Sequence, residues 1–156
     1  EPNARFLLVG DGILRQQLMK QIESLGLTEH FKFAGLVPPK RIPEMISAMD
    51  IAVHTSLREG LARVLPQALI SGKPVVSYDI DGAREVVHNN ETGYLLPAKS
   101  IEPLADALIR LTENPALRKQ FGKEGRSRCE KIFRHEYMTQ RIREVYEEVL
   151  NASKRK

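Results

Sequence analysis

The sequence predicts an α/β fold in which an open parallel sheet of about five strands has helices on both faces and a helical C-terminal tail follows. Short apolar runs alternate with segments whose apolar residues recur at helical spacing. Glycine and proline separate most of these segments, and from residue 101 onward only the helical pattern remains. Strands that alternate with helices in this way are typical of Rossmann-like folds, because parallel strands need helical crossovers.

Each strand is predicted from a short apolar run that ends in turn residues. Residues 6–9 form an uninterrupted apolar run before Gly10, as expected of a strand buried on both faces. The other strands are predicted at residues 31–34, 50–54, 74–78 and 94–96.

Helices are predicted between and after the strands from apolar spacing and from their end signals. Gly26 and Gly72 are expected to end the first and third helices, and Asn114-Pro115 to begin one in the tail. The last three residues of the chain, 154–156, are expected to fray. The predicted helices cover residues 13–25, 42–49, 63–71, 83–88 and 101–112, the segment after Asn114, and a long amphipathic helix at 134–151.

Composition indicates one soluble globular domain over residues 1–156, with 42% hydrophobic and 28% charged residues. The net charge is +4, but nucleic acid is not an expected partner because the chain has no Trp and no basic-aromatic surface. The sequence shows neither a membrane-spanning segment nor a signal peptide. Cys129 is the single cysteine, so a reducing compartment and a structural role for its thiol are expected. We expect a cytoplasmic protein, with attachment to the inner face of the membrane as an alternative that the basic tail leaves open.

The candidate site lies in residues 56–69, where a strand ends, a Glu-Gly turn follows and a helix begins. Ligands of parallel sheets bind beyond the carboxyl ends of the strands. Gly60 lets the backbone approach a ligand closely, and the unpaired amides near Ala62 and Arg63 favour an anion. The carboxylate of Glu59 suits sugar hydroxyls, which donate hydrogen bonds, and Gln67 can bond a ribose.

This segment resembles the E-x7-E region of glycosyltransferase family 4, whose members have the GT-B fold. Five other stretches resemble the family's strands and turns in the same order, from about Ala4 to Leu150. They are LLVGDG at 7–12, FAGLV at 33–37, GKPVV at 72–76, GAREVV at 82–87 and ETGYLL at 91–96.

The resemblance implies transfer of a sugar from a nucleoside-diphosphate donor to a hydroxyl acceptor, with retention of anomeric configuration. Glu59 would be the catalytic residue that contacts the donor sugar. No cofactor or metal is implied, since the nucleotide sugar is a substrate, and the acceptor would be a glycan or a lipid-linked molecule. The implied donor-binding residues are Gly60, Leu61 and Ala62 for sugar and diphosphate, Arg63 for diphosphate, Gln67 for ribose, Leu36 and Val37 for the base, and Gly10.

The chain departs from the family pattern in two ways. Position 67 is Gln where the family has Glu, which forfeits a charge-assisted hydrogen bond of about 1 kcal/mol. The family's first strand–helix unit, with an Arg and a Lys that bind the diphosphate, has no counterpart before Phe6, nor has the N-terminal domain. The expectation is therefore a fragment, inactive alone, that supplies the donor-binding half of the enzyme. Such a fragment could dimerise through the apolar face left exposed.

Structural interpretations compete with these roles. Glu59 is also a helix N-terminal acid favoured by the dipole, while Gln67 and Arg63 could simply cover the helix surface. Arg84 opens a helix near the site and could bind phosphate, but a surface ion pair with Glu85 or Asp81 is expected.

His54 is expected to be a hydrogen-bonded structural histidine, although it could lie beside the sugar. Two other functions remain open for the chain as a whole. One is a related GT-B enzyme such as a nucleotide-sugar epimerase, and the other is a non-catalytic assembly module that binds no donor.

Overall fold

The computed structural model describes residues 2–153, so the predicted fraying of residues 154–156 lies outside the described residues. The elements follow the predicted order, and their ends differ from the predicted ones by no more than two residues. The strands are β1 (Phe6–Val9), β2 (Phe31–Gly35), β3 (Ala52–His54), β4 (Val75–Tyr78) and β5 (Gly93–Leu96). The helices are α1 (Arg15–Ser24), α2 (Ile42–Ser47), α3 (Val64–Ile70), α4 (Ala83–Val86), α5 (Ile101–Glu113), α6 (Pro115–Ile132) and α7 (His135–Ser153).

All five strands pair in parallel, which confirms the predicted α/β class and strand number. The hydrogen-bonded ladders form two sheets instead of one continuous sheet. In the first, Phe6 of β1 lies opposite Phe31 of β2, and the two rings stack with centroids 4.7 Å apart. The expected burial of β1 on both faces was wrong: none of its residues is buried, and Phe6 and Val9 are 39% and 36% exposed. Helix α1, which follows β1, has no buried residue and so covers this sheet poorly. In the second, β4 is the central strand, with β3 and β5 at its sides.

The core surrounds β4, all of whose residues are buried. Consecutive residues of a strand point to opposite faces of the sheet. Accordingly, Val75 belongs to the apolar cluster that contains Leu65 of α3, whereas Val76 belongs to the cluster that contains Leu111 of α5. Helices therefore cover both faces of the second sheet, as predicted.

Helix α6 packs closely against the last turn of α3 and against the turn that follows it. A Cβ atom added to Gly122 of α6 would lie 2.0 Å from the carbonyl oxygen of Gly72, and one added to Gly125 would lie 2.5 Å from Cδ2 of Leu69. This contact fixes α3 against the core, and α3 is the helix that follows the candidate site.

Cys129 of α6 is buried in the same cluster as Val75. Burial raises the pKa of its thiol to about 11, so the thiol is protonated at neutral pH. A protonated, enclosed thiol is a poor nucleophile, which agrees with the structural role predicted for Cys129.

Two helices leave apolar faces uncovered. Helix α1 has no buried residue, and Leu14, Leu18 and Leu25 are 39–62% exposed. On α7, Met138 and the apolar residues at positions 142, 145 and 149 are 48–61% exposed. Among residues 2–153, no helix is both long enough and apolar enough to cross a membrane.

Candidate functional site

The candidate site is formed by two loops at the carboxyl ends of neighbouring strands. The Glu59 loop (residues 55–63) connects β3 to α3, and the Asp81 loop (residues 79–82) connects β4 to α4. Because β3 and β4 are parallel and adjacent, both loops leave the same edge of the sheet. This edge is where ligands of parallel sheets bind.

Two hydrogen bonds of opposite direction join these loops. The amide of Glu59 donates to Oδ2 of Asp81 at 2.9 Å, and the amide of Gly82 donates to the carbonyl oxygen of Gly60 at 3.0 Å. A Cβ atom on Gly82 would lie 2.8 Å from that oxygen, so the loops are closer than a side chain at position 82 would permit. Asp81 itself has a φ of +40°.

Arg84 forms its ion pair with Asp79, which corrects the predicted pairing with Glu85 or Asp81. Its Nε and Nη2 donate to the two carboxylate oxygens of Asp79 at 2.6 and 2.9 Å. The carboxylate of Asp81 accepts from the Glu59 amide instead. Because Arg84 donates to both oxygens of Asp79, its guanidinium is already paired within the protein, and Arg84 is a weaker candidate for binding phosphate.

His54 is the last residue of β3 and immediately precedes the Glu59 loop. Its Nδ1 lies 3.3 Å from Oγ of Ser77, the residue paired with it across the sheet. The predicted hydrogen bond of His54 is therefore observed. Desolvation lowers the pKa of His54, and the negative charge of Glu59 opposes that shift by raising it. The Glu59 carboxylate thus acts electrostatically on the end of β3.

We expect the His54 ring to titrate below its ordinary pKa of 6.5. A depressed folded-state pKa means that the neutral ring favours the folded state. The contribution of His54 to stability is therefore complete above about pH 6.5 and is lost as the pH falls through the folded-state value. Glu59→Gln should lower the midpoint further, because it removes the charge that raises it.

An NMR titration of the His54 ring would test this, with Asp106→Asn on α5 as a control that removes a carboxylate elsewhere. A midpoint at or above 6.5 would contradict the expected burial effect. A midpoint that Glu59→Gln leaves unchanged would contradict the influence of the carboxylate.

The predicted residues of the Glu59 loop are mostly open to solvent. Glu59, Gly60, Leu61, Arg63 and, on α3, Gln67 are exposed.

Ala62 differs, since it is only 5% exposed and its methyl group packs in the core. Only its backbone can face a ligand, as the resemblance implies. Helix α3 begins at Val64, one residue later than predicted.

The predicted base-contacting residues lie at the end of the first sheet. The amide of Gly10 donates to the carbonyl oxygen of Gly35 at 2.9 Å, which places Gly10 next to the segment that carries Leu36 and Val37. Leu36 is 82% exposed, and Val37 is half-buried. Within residues 2–153, no hydrogen bond connects this group to the Glu59 loop; the structure thus gathers the predicted residues into two groups.

Two polar residues near these groups were missed by the sequence interpretation. Arg15 of α1 lies over the Phe33 ring, 5.6 Å from its centroid, and bonds Asp11 at 3.1 Å. Asp81 bonds the Glu59 amide. The available signal was the position of Asp81 in the loop after β4 and of Arg15 at the start of the helix after β1, but the partner of each depends on how the loops fold.

In the described part of the chain, no three His, Cys, Asp or Glu side chains come together as ligands of a metal would. The expectation that donor binding needs no metal remains a prediction.

The comparison with known families decides the affiliation of the chain. The model of the family described as "Glycosyl transferases group 1" matches residues 1–128. The chain belongs to the group 1 glycosyltransferases. The model ends within α6, so the match includes both loops of the site and all five strands of this group 1 domain.

Curated relatives and a solved structure agree with this family. A phosphatidyl-myo-inositol mannosyltransferase of Mycobacterium leprae (strain TN) is 33% identical over 150 residues, which is 94% of this chain and 38% of the relative. A 2-deoxystreptamine N-acetyl-D-glucosaminyltransferase of Streptomyces fradiae is 32% identical over 106 residues, 68% of this chain and 25% of the relative. The crystal structure of Anabaena Alr3699/HepE in complex with UDP-glucose superposes with a TM-score of 0.86 at 28% identity, covering 95% of this chain and 42% of that one.

This group 1 chain therefore spans less than half the length of these proteins. The similarity covers part of each relative, and it includes the Glu59 and Asp81 loops.

Proposed function

We propose that this chain binds the nucleoside-diphosphate sugar of a retaining glycosyltransferase of family 4 and supplies its donor-binding half. The observation that carries the proposal is the exposed Glu59-Gly60 turn, fixed at the carboxyl edge of the second sheet in a group 1 chain. The structure of Alr3699/HepE with UDP-glucose supports a nucleotide sugar as the ligand class.

In this proposal the Glu59 carboxylate accepts hydrogen bonds from the donor sugar's hydroxyls. The sugar moves from the diphosphate to a hydroxyl acceptor with its anomeric configuration retained. The Gly60–Ala62 backbone faces the sugar and diphosphate. Arg63 places a positive charge near the leaving diphosphate. Its guanidinium is available for this because it forms no ion pair within residues 2–153. Electrostatic stabilisation of developing charge of this kind is a major source of catalysis.

The remaining donor contacts are proposed at the first sheet and along α3. Gln67, exposed on α3, bonds the ribose, while Gly10, Leu36 and Val37 line the base. We propose no metal or other cofactor.

The acceptor and the sugar type are proposed only as classes. The named relatives act on acceptors as different as phosphatidyl-myo-inositol and 2-deoxystreptamine. A hexose as the transferred sugar, and a glycan or lipid-linked acceptor bound by another domain, fit the family. Action at the cytoplasmic face of a membrane is part of the same proposal.

A non-catalytic assembly module is the second candidate, because the apolar faces of α1 and α7 are uncovered. In this alternative the chain self-associates through such a face and binds no donor at the Glu59 loop. The epimerase alternative gains no support, since the named relatives described above are transferases.

The two candidates are separated by titrating the chain with UDP, GDP, ADP and their common sugars while recording backbone NMR spectra. We expect one base to shift the amides of Leu36, Gly60, Leu61 and Gln67 together, even at about millimolar affinity. The shift of the Gln67 amide would come from its contact with the ribose, and that of Leu36 from its contact with the base. The shifts of Gly60 and Leu61 would come from contact with the sugar.

Shifts confined to α1 and α7, or no shifts at about 10 mM nucleotide, would contradict the donor proposal. A stable dimer in sedimentation under the same conditions would then favour the assembly module.

A further inference from the structure

The Glu59 loop has few attachments of its own. Within the described part of the chain, residues 55–61 make two hydrogen bonds to the rest of the protein, and both reach the Asp81 loop. The first is from the Glu59 amide to Asp81, and the second is from the Gly82 amide to Gly60. The conformation of the Glu59-Gly60 turn therefore depends on a loop that lies 22 residues further along the chain.

The Asp81 loop is connected by hydrogen bonds to β5 and to the start of α4. The amide of Asp79 donates to the carbonyl oxygen of Leu96 at 2.7 Å, which ties the loop to β5. Arg84 holds the Asp79 carboxylate with two hydrogen bonds, and the amide of Ala83 donates to the oxygen of Ile80 at 2.9 Å. The loop can therefore act as a fixed support for its neighbour.

Asp81 has a backbone conformation that most side chains avoid. Its φ of +40° lies in the left-handed region, which glycine adopts without strain and which Asp and Asn tolerate better than other residues. Glycine would satisfy the backbone alone. A side chain with an acceptor oxygen is needed in addition to accept the hydrogen bond of the Glu59 amide. The backbone conformation alone therefore does not account for an Asp at position 81.

We propose that Asp81 is a positioning residue for Glu59. Its carboxylate holds the Glu59 amide, and together with the contact between Gly82 and Gly60 it orients the turn toward the donor sugar. This inference rests on the proposed function, because the orientation matters for catalysis only if Glu59 contacts the sugar. Asp81 acts through the backbone and is assigned no contact with the substrate.

Three variants separate the acceptor oxygen from the charge and from the backbone conformation. Asp81→Asn keeps an oxygen and removes the charge, Asp81→Ala removes the oxygen, and Asp81→Gly removes it while relieving the strain at φ. Asp106→Ala, an exposed Asp on α5, is the matched control for loss of a carboxylate. Each is made in the full 156-residue chain.

The first measurement is the amide proton shift and fast motion of Glu59 by NMR without any donor. We expect Asp81→Asn to keep a downfield, ordered Glu59 amide, and Asp81→Ala and Asp81→Gly to lose both properties. An unchanged Glu59 amide in Asp81→Ala would overturn the proposal, whatever the wild-type chain binds.

The second measurement is the affinity for the best ligand among UDP-glucose, UDP-N-acetylglucosamine, GDP-mannose and ADP-glucose. Affinity should fall about tenfold in Asp81→Ala and Asp81→Gly, as expected for loss of a charged hydrogen bond, and by less in Asp81→Asn, which keeps a neutral acceptor. A loss in Asp81→Asn as large as in Asp81→Ala would overturn positioning in favour of a role for the charge. Absence of binding by the wild-type chain would instead overturn the proposed function, whereas the amide measurement would still report on the bond.

Discussion

Replacing Gly122 with alanine is expected to lower the free energy of unfolding by about 3 kcal/mol. The added Cβ would lie 2.0 Å from the carbonyl oxygen of Gly72, and that obstacle is backbone, which no rotamer change can move. Alanine is favoured over glycine inside a helix by roughly 1 kcal/mol, so propensity alone predicts the opposite sign. Steric exclusion wins because α3 and α6 have to separate, which opens the cluster around Leu65.

Urea unfolding followed by circular dichroism would measure the change. Ser127→Ala, an exposed substitution on the same helix, should shift stability by no more than about 0.5 kcal/mol. A Gly122→Ala variant as stable as Ser127→Ala would show that the close approach of the two helices is absent in solution.

Replacing Glu59 with glutamine is expected to weaken the binding of the nucleotide sugar by about 5- to 10-fold, because a neutral hydrogen bond replaces a charged one at a loss of about 1 kcal/mol. The affinity for the corresponding nucleoside diphosphate should not change, because the proposed contact of Glu59 is with sugar hydroxyls alone. Glutamine keeps the length of the side chain and an acceptor oxygen, so the comparison isolates the charge.

Calorimetric or NMR titration with each ligand pair would give the two affinities. Glu113→Gln, at the end of α5, is a control of identical chemistry outside the site. Equal weakening for nucleotide and nucleotide sugar would contradict the assignment of Glu59 to the sugar. No effect on either would leave the carboxylate with the helix-terminal role that the sequence also allows.

The fold was largely predictable because its signals are local. The strand at Phe6–Val9 was predicted to the residue, since an uninterrupted apolar run that ends at glycine has few other interpretations. The start of α6 was predicted from Asn114-Pro115, and the Asn114 side chain indeed accepts from the amide of Leu117. These features depend on neighbours within one or two turns of chain.

Features that depend on distant contacts were harder to predict. The predicted partner of Arg84 was wrong because proximity in sequence favours Glu85 and Asp81, whereas Arg84 pairs with Asp79 in the folded chain. The bond from Glu59 to Asp81 joins residues that follow different strands, so it exists only once β3 and β4 are paired. The division of the strands into two sheets likewise depends on pairing, since each strand alone has the same apolar pattern.

The uneven placement of the core has a consequence for how ligand binding and folding are linked. Apolar burial is concentrated around β4, while α1, which connects β1 to β2, has no buried residue. Regions with little burial open locally at a lower free energy than the rest of a protein. In the proposed site the base lies against the first sheet and α1, which open more easily, and the sugar lies against the second sheet, which opens last. A bound donor would therefore suppress local unfolding of the first β–α–β unit, and nucleotide recognition would be coupled to its stability.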